Sequence, residues 1–346
     1  MRETIDIAYR GQHYEIPNSW YALSTDDFRF VVEELGRMGL GETSPGEIRL
    51  HLLCRLMGWK LRRVTDEDSM GTLLVLSSQL TFLFLIDYGK DNDLIADLSP
   101  EDQECCRRID PWQIQLPIAR ALRRLDYRYI PDLCFASQKV PTISAAGKTY
   151  KGYTILCDDN ALTTSLTALQ FLEAQQLLQR IEFSQPEKVQ RLLVLLAAIL
   201  YFPGERYSSE AAHCFAQELK DVDLITLQCI MLNFRAFTAF LFERTPFSLL
   251  TKFKGKTPAA ITTDGIDALY DLAKDGLGSV GEVEQINLIT YFRLMRKKTI
   301  DAVRQMKDLE WDLAKISKES GLPIRIVESI TQPEKITNNE QHSTTT

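Results

Sequence analysis

The side chains that could do chemistry in this 346-residue chain are few and widely separated. The four histidines have no partner at the spacing that zinc sites use; they are His13, His51, His213 and His342. His213 and Cys214 are adjacent, but neighbouring side chains on a helix point in different directions and rarely share a ligand or a proton. We therefore expect structural or surface imidazoles and no metal site.

The cysteine positions do not indicate a disulfide framework or a zinc site. Their number is odd and their spacing is irregular, whereas disulfide frameworks and zinc sites need ordered pairs. Reduced thiols that pack as small hydrophobic groups are expected. The seven positions are Cys54, Cys105, Cys106, Cys134, Cys157, Cys214 and Cys229.

Phosphate-binding and nucleophile motifs are incomplete in this sequence. Gly255-Lys256-Thr257 imitates the end of a P-loop but lacks the earlier glycine, and Leu250 stands in its place. Gly276, Gly278 and Gly281 are spaced like a dinucleotide fingerprint, but a helix-like segment precedes them instead of a buried strand. The sequence predicts no catalytic residues and no cofactor, so an enzyme ranks third among the functions considered.

The first elements are predicted to be a β-hairpin followed by two helices. Apolar and polar residues alternate on both sides of Arg10-Gly11-Gln12, which is typical of a hairpin. Ser24 can cap a helix that has Phe28 on its apolar face and ends at Gly36 or Gly39. A second apolar helix is indicated after it.

This order of elements recurs in the middle of the chain. Gly147-Lys148-Thr149-Tyr150 repeats the pattern of Gly11-Gln12-His13-Tyr14, and Phe171 follows Phe28 by 143 positions. A duplicated module explains the match, and so does a chance alignment of two leucine-rich amphipathic helices. The sequence leaves both interpretations open.

Composition predicts a mainly α-helical fold with small β-hairpins. We expect an N-terminal hairpin-plus-helices module over 1–130, a second such module over 131–256, a long-helix region over 257–331 and a disordered tail over 332–346. The apolar run from Leu73 to Ile86 is too short for a bilayer and is expected to lie in the core.

The third region carries the strongest pattern. No proline or glycine interrupts residues 282–320, so one helix of nearly forty residues is expected. Apolar residues recur along it at heptad spacing, which favours packing in a helical bundle or contact with a partner helix. The predicted contact residues are Leu288, Phe292, Met295, Met306, Leu309, Leu313 and Ile316, and we call this set the apolar stripe.

A second interpretation of the same region is DNA binding. Six cations lie on the expected helix, and residues 316–327 fit a helix–turn–helix with glycine in the turn. Acidic residues share the helix, and the chain has a net charge of −7, which argues against general affinity for a polyanion. Nucleic acid is therefore the alternative partner and not the leading one. The cations are Arg293, Arg296, Lys297, Lys298, Arg304 and Lys307.

One short motif resembles a known class of protein. Ile16-Pro17-Asn18-Ser19-Trp20, with Leu23-Ser24-Thr25 and Phe28 after it, resembles the opening of small tail-assembly or baseplate-assembly proteins of bacteriophages and prophages, particularly those of gut Bacteroidota. The stretch from Tyr291 to Lys298 resembles the same kind of helical phage protein. The resemblance implies a non-enzymatic, chaperone-like assembly role.

That resemblance also implies partners and a location. Other proteins, such as phage tail components, would bind to exposed apolar helical faces, and no membrane contact is expected. The N-terminal sequence has acids where a signal peptide would need an apolar core, so a cytoplasmic or host-cytoplasmic virion-associated protein is predicted. The sequence does not predict an oligomeric state.

Overall fold

The computed structural model describes residues 3–61, 66–158, 161–181, 186–254, 257–259 and 264–332. Backbone contacts divide the chain into two compact units. The first contains Met1–Ser165 and Leu177–Phe240, and the second contains Leu166–Gln176 and Leu241–Thr346. With 56% helix and 12% strand, the predicted mainly α-helical class with small hairpins is confirmed.

Helices are the main elements of both units. Within the described residues they are α1 (Thr25–Gly39), α2 (Pro45–Leu56), α3 (Glu67–Ser77), α4 (Pro100–Arg108), α5 (Ala119–Leu122), α6 (Ala168–Arg180), α7 (Pro186–Leu200), α8 (Ser209–Phe215), α9 (Leu224–Glu243), α10 (Asp264–Leu272), α11 (Val280–Glu284), α12 (Leu288–Asp308), α13 (Leu313–Ser320) and α14 (Ile324–Thr331). Short 3₁₀ helices at Gly89–Ile95 and Pro246–Leu250 and a π-helical turn at Ala273–Leu277 connect some of them.

The strands pair only as two-stranded antiparallel sheets within the described residues. The pairs are β1 (Thr4–Tyr9) with β2 (Gln12–Pro17), β3 (Phe84–Asp87) with β4 (Arg128–Pro131), β5 (Thr142–Ala145) with β6 (Lys148–Lys151), β7 (Ile155–Cys157) with β8 (Leu162–Thr164), and β9 (Lys252–Lys254) with β10 (Thr257–Ala259).

Both predicted hairpins are present in the structure. The β1–β2 hairpin turns at Arg10-Gly11 and the β5–β6 hairpin at Ala146-Gly147, and all four residues have φ between 49° and 77°. Positive φ at both central positions is the turn geometry that matches the twist of hairpin strands. Helices α1 and α2 follow the first hairpin directly, whereas the β7–β8 pair lies between the second hairpin and helices α6 and α7.

The N-terminal helices begin as the sequence predicts. Ser24 Oγ accepts a hydrogen bond of 3.1 Å from the Asp27 amide, and α1 ends at Gly39. Ser44 and Glu47 form a capping box at the start of α2, with each side chain bonded to the other's backbone amide. Side-chain caps satisfy amides that have no acceptor inside the helix, which explains why these residues fix the helix start.

The core of the first unit extends across the boundary predicted near residue 130. Trp20 stacks on Phe135 with ring centroids 5.3 Å apart, and its indole nitrogen donates to the Asp132 carbonyl at 2.5 Å. The β3–β4 pairing also joins positions far apart in sequence. Long-range aromatic packing therefore links the two sides of residue 130 within the first unit.

The apolar run from Leu73 to Ile86 comprises the end of α3, a turn and β3, so it is not one continuous helix. Most of its large side chains after Ser77 are buried, as expected of a core segment. Among the described residues, Leu224–Glu243 is the helix long and apolar enough to cross a membrane by length and composition, and half of that apolar window is buried in the fold.

The predicted forty-residue helix does not form. Residues 280–320 contain α11, α12 and α13, and the last two are separated where Glu310 adopts φ +60°. Leu288 donates its amide to the Leu166 carbonyl at 2.9 Å, and Phe292 lies edge-on to Phe171 at 5.3 Å. These contacts fix α12 against the start of α6 within the second unit.

Candidate nucleic-acid interface

Helices α13 and α14 of the second unit form a helix–turn–helix. Asp312 Oδ1 accepts the Lys315 amide at 2.8 Å and begins α13. Gly321 ends α13 with φ 70°, a left-handed conformation that costs glycine nothing. Three residues, Gly321, Leu322 and Pro323, then lead into α14. A three- or four-residue turn that contains glycine is typical of this motif, and the predicted order of helix, glycine-containing turn and helix is present at residues 316–327.

The turn is held by side-chain hydrogen bonds as well as by glycine. Ser317 Oγ donates to the Leu322 carbonyl at 2.7 Å, and Ser320 Oγ accepts the Leu322 amide at 3.3 Å. Pro323 supplies the carbonyl that receives the Val327 amide at 3.1 Å. The connection between the two helices is therefore a defined turn.

One small hydrophobic core unites α12, α13 and α14. Its buried residues come from each helix and from the turn; they are Val303, Ile316, Leu322 and Val327, all 4% exposed or less. Met306, Trp311, Leu313 and Ile330 pack around this core. Because all three helices contribute to it, residues 288–331 behave as one structural element, which we call the C-terminal module.

Five cations lie on one face of α12. At 3.6 residues per turn these positions fall within about 100° of one another and extend over roughly 21 Å of helix. They are Arg293, Arg296, Lys297, Arg304 and Lys307, and we call them the basic stripe. All five are exposed, and none forms an ion pair in the part of the chain that the structure describes.

Residues at the border of the stripe define its limits. Lys298, which the sequence groups with these cations, points away from them and binds Asp275. Asp301 and Asp308 border the stripe on one side. The module as a whole nonetheless carries nine Lys or Arg residues and six Asp or Glu residues, a net charge of +3 within a chain of net charge −7.

The outer face of α14 combines one cation with apolar groups. Ile324 is 46% exposed, Ile326 is 38% exposed, and Arg325 and Ser329 are exposed beside them. Val327 points inward to the module core. The face can therefore make both charged and apolar contacts.

The apolar stripe is placed mainly inside the second unit. Leu288, Phe292 and Ile316 are at most 1% exposed. Met295, Met306 and Leu313 are partly buried, whereas Leu309 is 69% exposed at the break between helices. The heptad pattern identified core positions, because a helix packed into its own domain and a helix packed on a partner bury the same kind of face.

Two of the described histidines have hydrogen-bond partners close to them in sequence or on the neighbouring helix. His51 Nδ1 lies 2.8 Å from Glu34 Oε2 and His213 Nδ1 lies 2.8 Å from the Ser209 carbonyl, while His342 is outside the described residues. Among described residues, no group of three or more His, Cys, Asp or Glu side chains could hold a metal ion.

Comparison with known proteins adds no family to these observations. The chain matches no family model, no curated protein and no solved structure. The resemblance of residues 16–28 to phage tail-assembly proteins therefore stays a prediction. In the structure this segment contributes side chains to the hydrophobic core, since Ile16, Trp20 and Phe28 are at most 4% exposed.

Sequence reasoning found the cations but not their arrangement. A helical projection of α12 would have separated Lys298 from the other five, because it lies more than 90° from their centre. The exposure of Leu309 within the apolar stripe had no comparable signal in the sequence.

Proposed function

We propose that this chain binds double-stranded DNA through its C-terminal module. The observation that carries the proposal is the basic stripe, five exposed cations on the helix that packs directly against a helix–turn–helix, with no ion-pair partner among the described residues. Cations without intramolecular partners are available to neutralise phosphates and release counterions, which supplies most of the affinity of nonspecific DNA binding.

The two parts of the module would have different roles. The basic stripe would contact phosphates and set affinity, because such contacts do not depend on sequence. Helix α14 would enter the major groove with its first turn foremost, as the second helix of a helix–turn–helix does. Arg325 can donate to guanine, and the exposed Ile324 side chain can contact a thymine methyl group.

This proposal replaces partner binding through the apolar stripe as the leading function. Leu288, Phe292 and Ile316 could reach a partner only if the second unit opened, since they are core residues. Opening that core would cost several kcal/mol, because each large side chain contributes about 1.5–3 kcal/mol by its burial. The basic stripe needs no rearrangement to reach a ligand.

The test is fluorescence anisotropy with the full chain and a labelled duplex of about 30 base pairs. We expect micromolar binding at moderate salt, and at least about tenfold weaker binding for Arg293→Glu combined with Arg304→Glu. Lys151→Glu is the matched control, because it reverses an exposed cation on β6 outside the module.

Three results would contradict the proposal. They are absence of duplex binding by the wild-type chain at micromolar concentrations, equal weakening by Lys151→Glu, and undiminished binding by the Arg293→Glu, Arg304→Glu variant. Circular dichroism of each variant would confirm that helix content is kept, which is expected because all three positions are exposed.

A further inference from the structure

Trp112 is the most exposed tryptophan of the first unit, with 69% of its surface accessible. Its backbone is nevertheless fixed. The Trp112 amide donates to Asp110 Oδ1 at 2.9 Å, and Arg123 donates to the carbonyls of Pro111 and Trp112 at 2.9 and 3.3 Å. The Arg123 guanidinium carbon also lies 5.5 Å from the indole ring centre. Exposure here is therefore not the result of a loose loop.

Hydrogen bonds link this loop to the part of α3 that carries exposed aliphatic residues. Gln113 donates to Ser78 Oγ at 3.0 Å, and Ser78 Oγ in turn donates to the Val75 carbonyl at 2.7 Å. Val75 is 62% exposed and Leu74 is 47% exposed. These hydrogen bonds therefore join the Trp112 loop to an apolar stretch of α3. Single exposed hydrophobic residues are ordinary on protein surfaces, so it is the connection between these residues that indicates a binding surface.

The segment around Trp112 is net positive, because residues 110–126 contain three arginines and two acids. Arg120 and Arg124 are exposed on either side of Arg123, and neither forms an ion pair within the described ranges. The acid nearest to Trp112 in the sequence, Asp110, accepts hydrogen bonds from the Trp112 amide and from Tyr129 Oη. We call Trp112, Leu74, Val75, Arg120 and Arg124 the Trp112 surface.

We propose that the Trp112 surface docks an acidic segment of a partner protein, with an apolar side chain of that segment covering the indole. Tryptophan and arginine are the residue types that most often carry binding energy at protein interfaces. Unpaired guanidinium groups match carboxylates in geometry as well as in charge. A preordered tryptophan lowers the entropy lost when the partner binds.

Other ligand classes fit this surface less well. Single-stranded nucleic acid is usually bound by a series of aromatic rings, whereas the exposed residues of α3 that hydrogen bonds link to this loop, Leu74 and Val75, are aliphatic. A lipid surface takes up a broad apolar face, and here only a few apolar groups surround a loop fixed by hydrogen bonds. This inference does not rest on DNA binding, because it concerns the first unit.

The experiment is selection of a random dodecapeptide phage library on the immobilised full-length chain, with the Trp112→Ala chain as the counter-selection target. We expect enriched peptides to contain several Asp or Glu residues and a large apolar residue. Arg120→Glu combined with Arg124→Glu should weaken their binding by at least about tenfold. Leu40→Ala and Lys151→Glu should leave it unchanged, since these residues are exposed elsewhere.

The proposal fails if no sequence is enriched, if the enriched sequences lack acids, or if either variant of the Trp112 surface binds them as well as the wild type. The fluorescence emission of Trp112, which the Trp112→Ala chain lacks, provides a further test. The proposal also fails if oligo(dT) or vesicles of anionic phospholipid quench this emission and the peptides do not. Trp112→Gln provides a second test if the alanine variant loses its helical circular dichroism.

Discussion

At the scale of single residues, Gly321 fixes the geometry of the candidate DNA-binding turn. Its φ is 70°, and a Cβ built there would meet nothing within 4 Å, so only backbone strain opposes a side chain. Gly321→Ala should lower the free energy of unfolding by about 1 kcal/mol. Urea denaturation followed by circular dichroism measures this loss.

Gly36 is the control for that substitution. It lies inside α1 with ordinary helical backbone angles, and its Cβ would also meet nothing within 4 Å. Gly36→Ala should therefore raise stability by about 0.5–1 kcal/mol. Equal signs for the two substitutions would contradict the assigned backbone conformations.

Lys139 gives the first unit a pH dependence. The side chain is 5% exposed, its Nζ donates to the carbonyls of Tyr21 and Leu23, and burial lowers its pKa from 10.5 to about 8. Between these two pKa values the unfolded chain binds more protons than the folded chain, so stability should rise with pH.

We expect the wild type to gain about 2 kcal/mol between pH 7 and 10 relative to Lys139→Met, which has no amine to titrate. Denaturation curves of both proteins at several pH values provide the comparison, and groups common to both proteins cancel in the difference. A constant difference across this range would show that the pKa of Lys139 is not lowered by folding.

At the scale of elements, the break between α12 and α13 is placed at Glu310, which has φ +60°. Glu310→Gly should stabilise the second unit by about 0.5–1 kcal/mol, because glycine adopts this conformation without strain. Ala302→Gly is the counterpart within α12 and should destabilise by about 1 kcal/mol. Thermal unfolding of the two variants should shift in opposite directions.

Local sequence signals predicted where several elements begin and end. Ser24 bonds the amide three residues later, Gly39 ends α1, and Gly321 ends α13, as their residue types indicate. The inner face of α12 was also predictable, since Leu288 and Phe292 follow helical periodicity into the core. These features depend on residues close together in the sequence.

Features that depend on distant contacts could not be predicted in the same way. Glutamate at position 310 gives no signal of a left-handed residue, so residues 282–320 were expected to be one helix. Trp20 bonds to Asp132 across the predicted module boundary. Nothing in the local sequence distinguishes the exposed Trp112 from the buried Trp20, because tertiary packing decides which indole is covered.

At the scale of the whole molecule, charge is unevenly distributed. The chain carries −7, yet the C-terminal module carries +3, so the acidic remainder should repel DNA while the module attracts it. Binding to a duplex that lacks a preferred sequence should therefore be weak, and it should depend strongly on salt. The Trp112 surface belongs to the other compact unit, so DNA binding and peptide binding should be separable by mutation.

Salt dependence of duplex binding tests the central proposal most directly. If the five cations of the basic stripe contact phosphates, a plot of log K against log salt should have a slope of about −4 to −5, and Arg304→Ala should reduce its magnitude by about 1. Anisotropy titrations of both proteins over a range of salt concentrations give the two slopes. A slope near zero, or the same slope for Arg304→Ala, would contradict DNA binding by this surface.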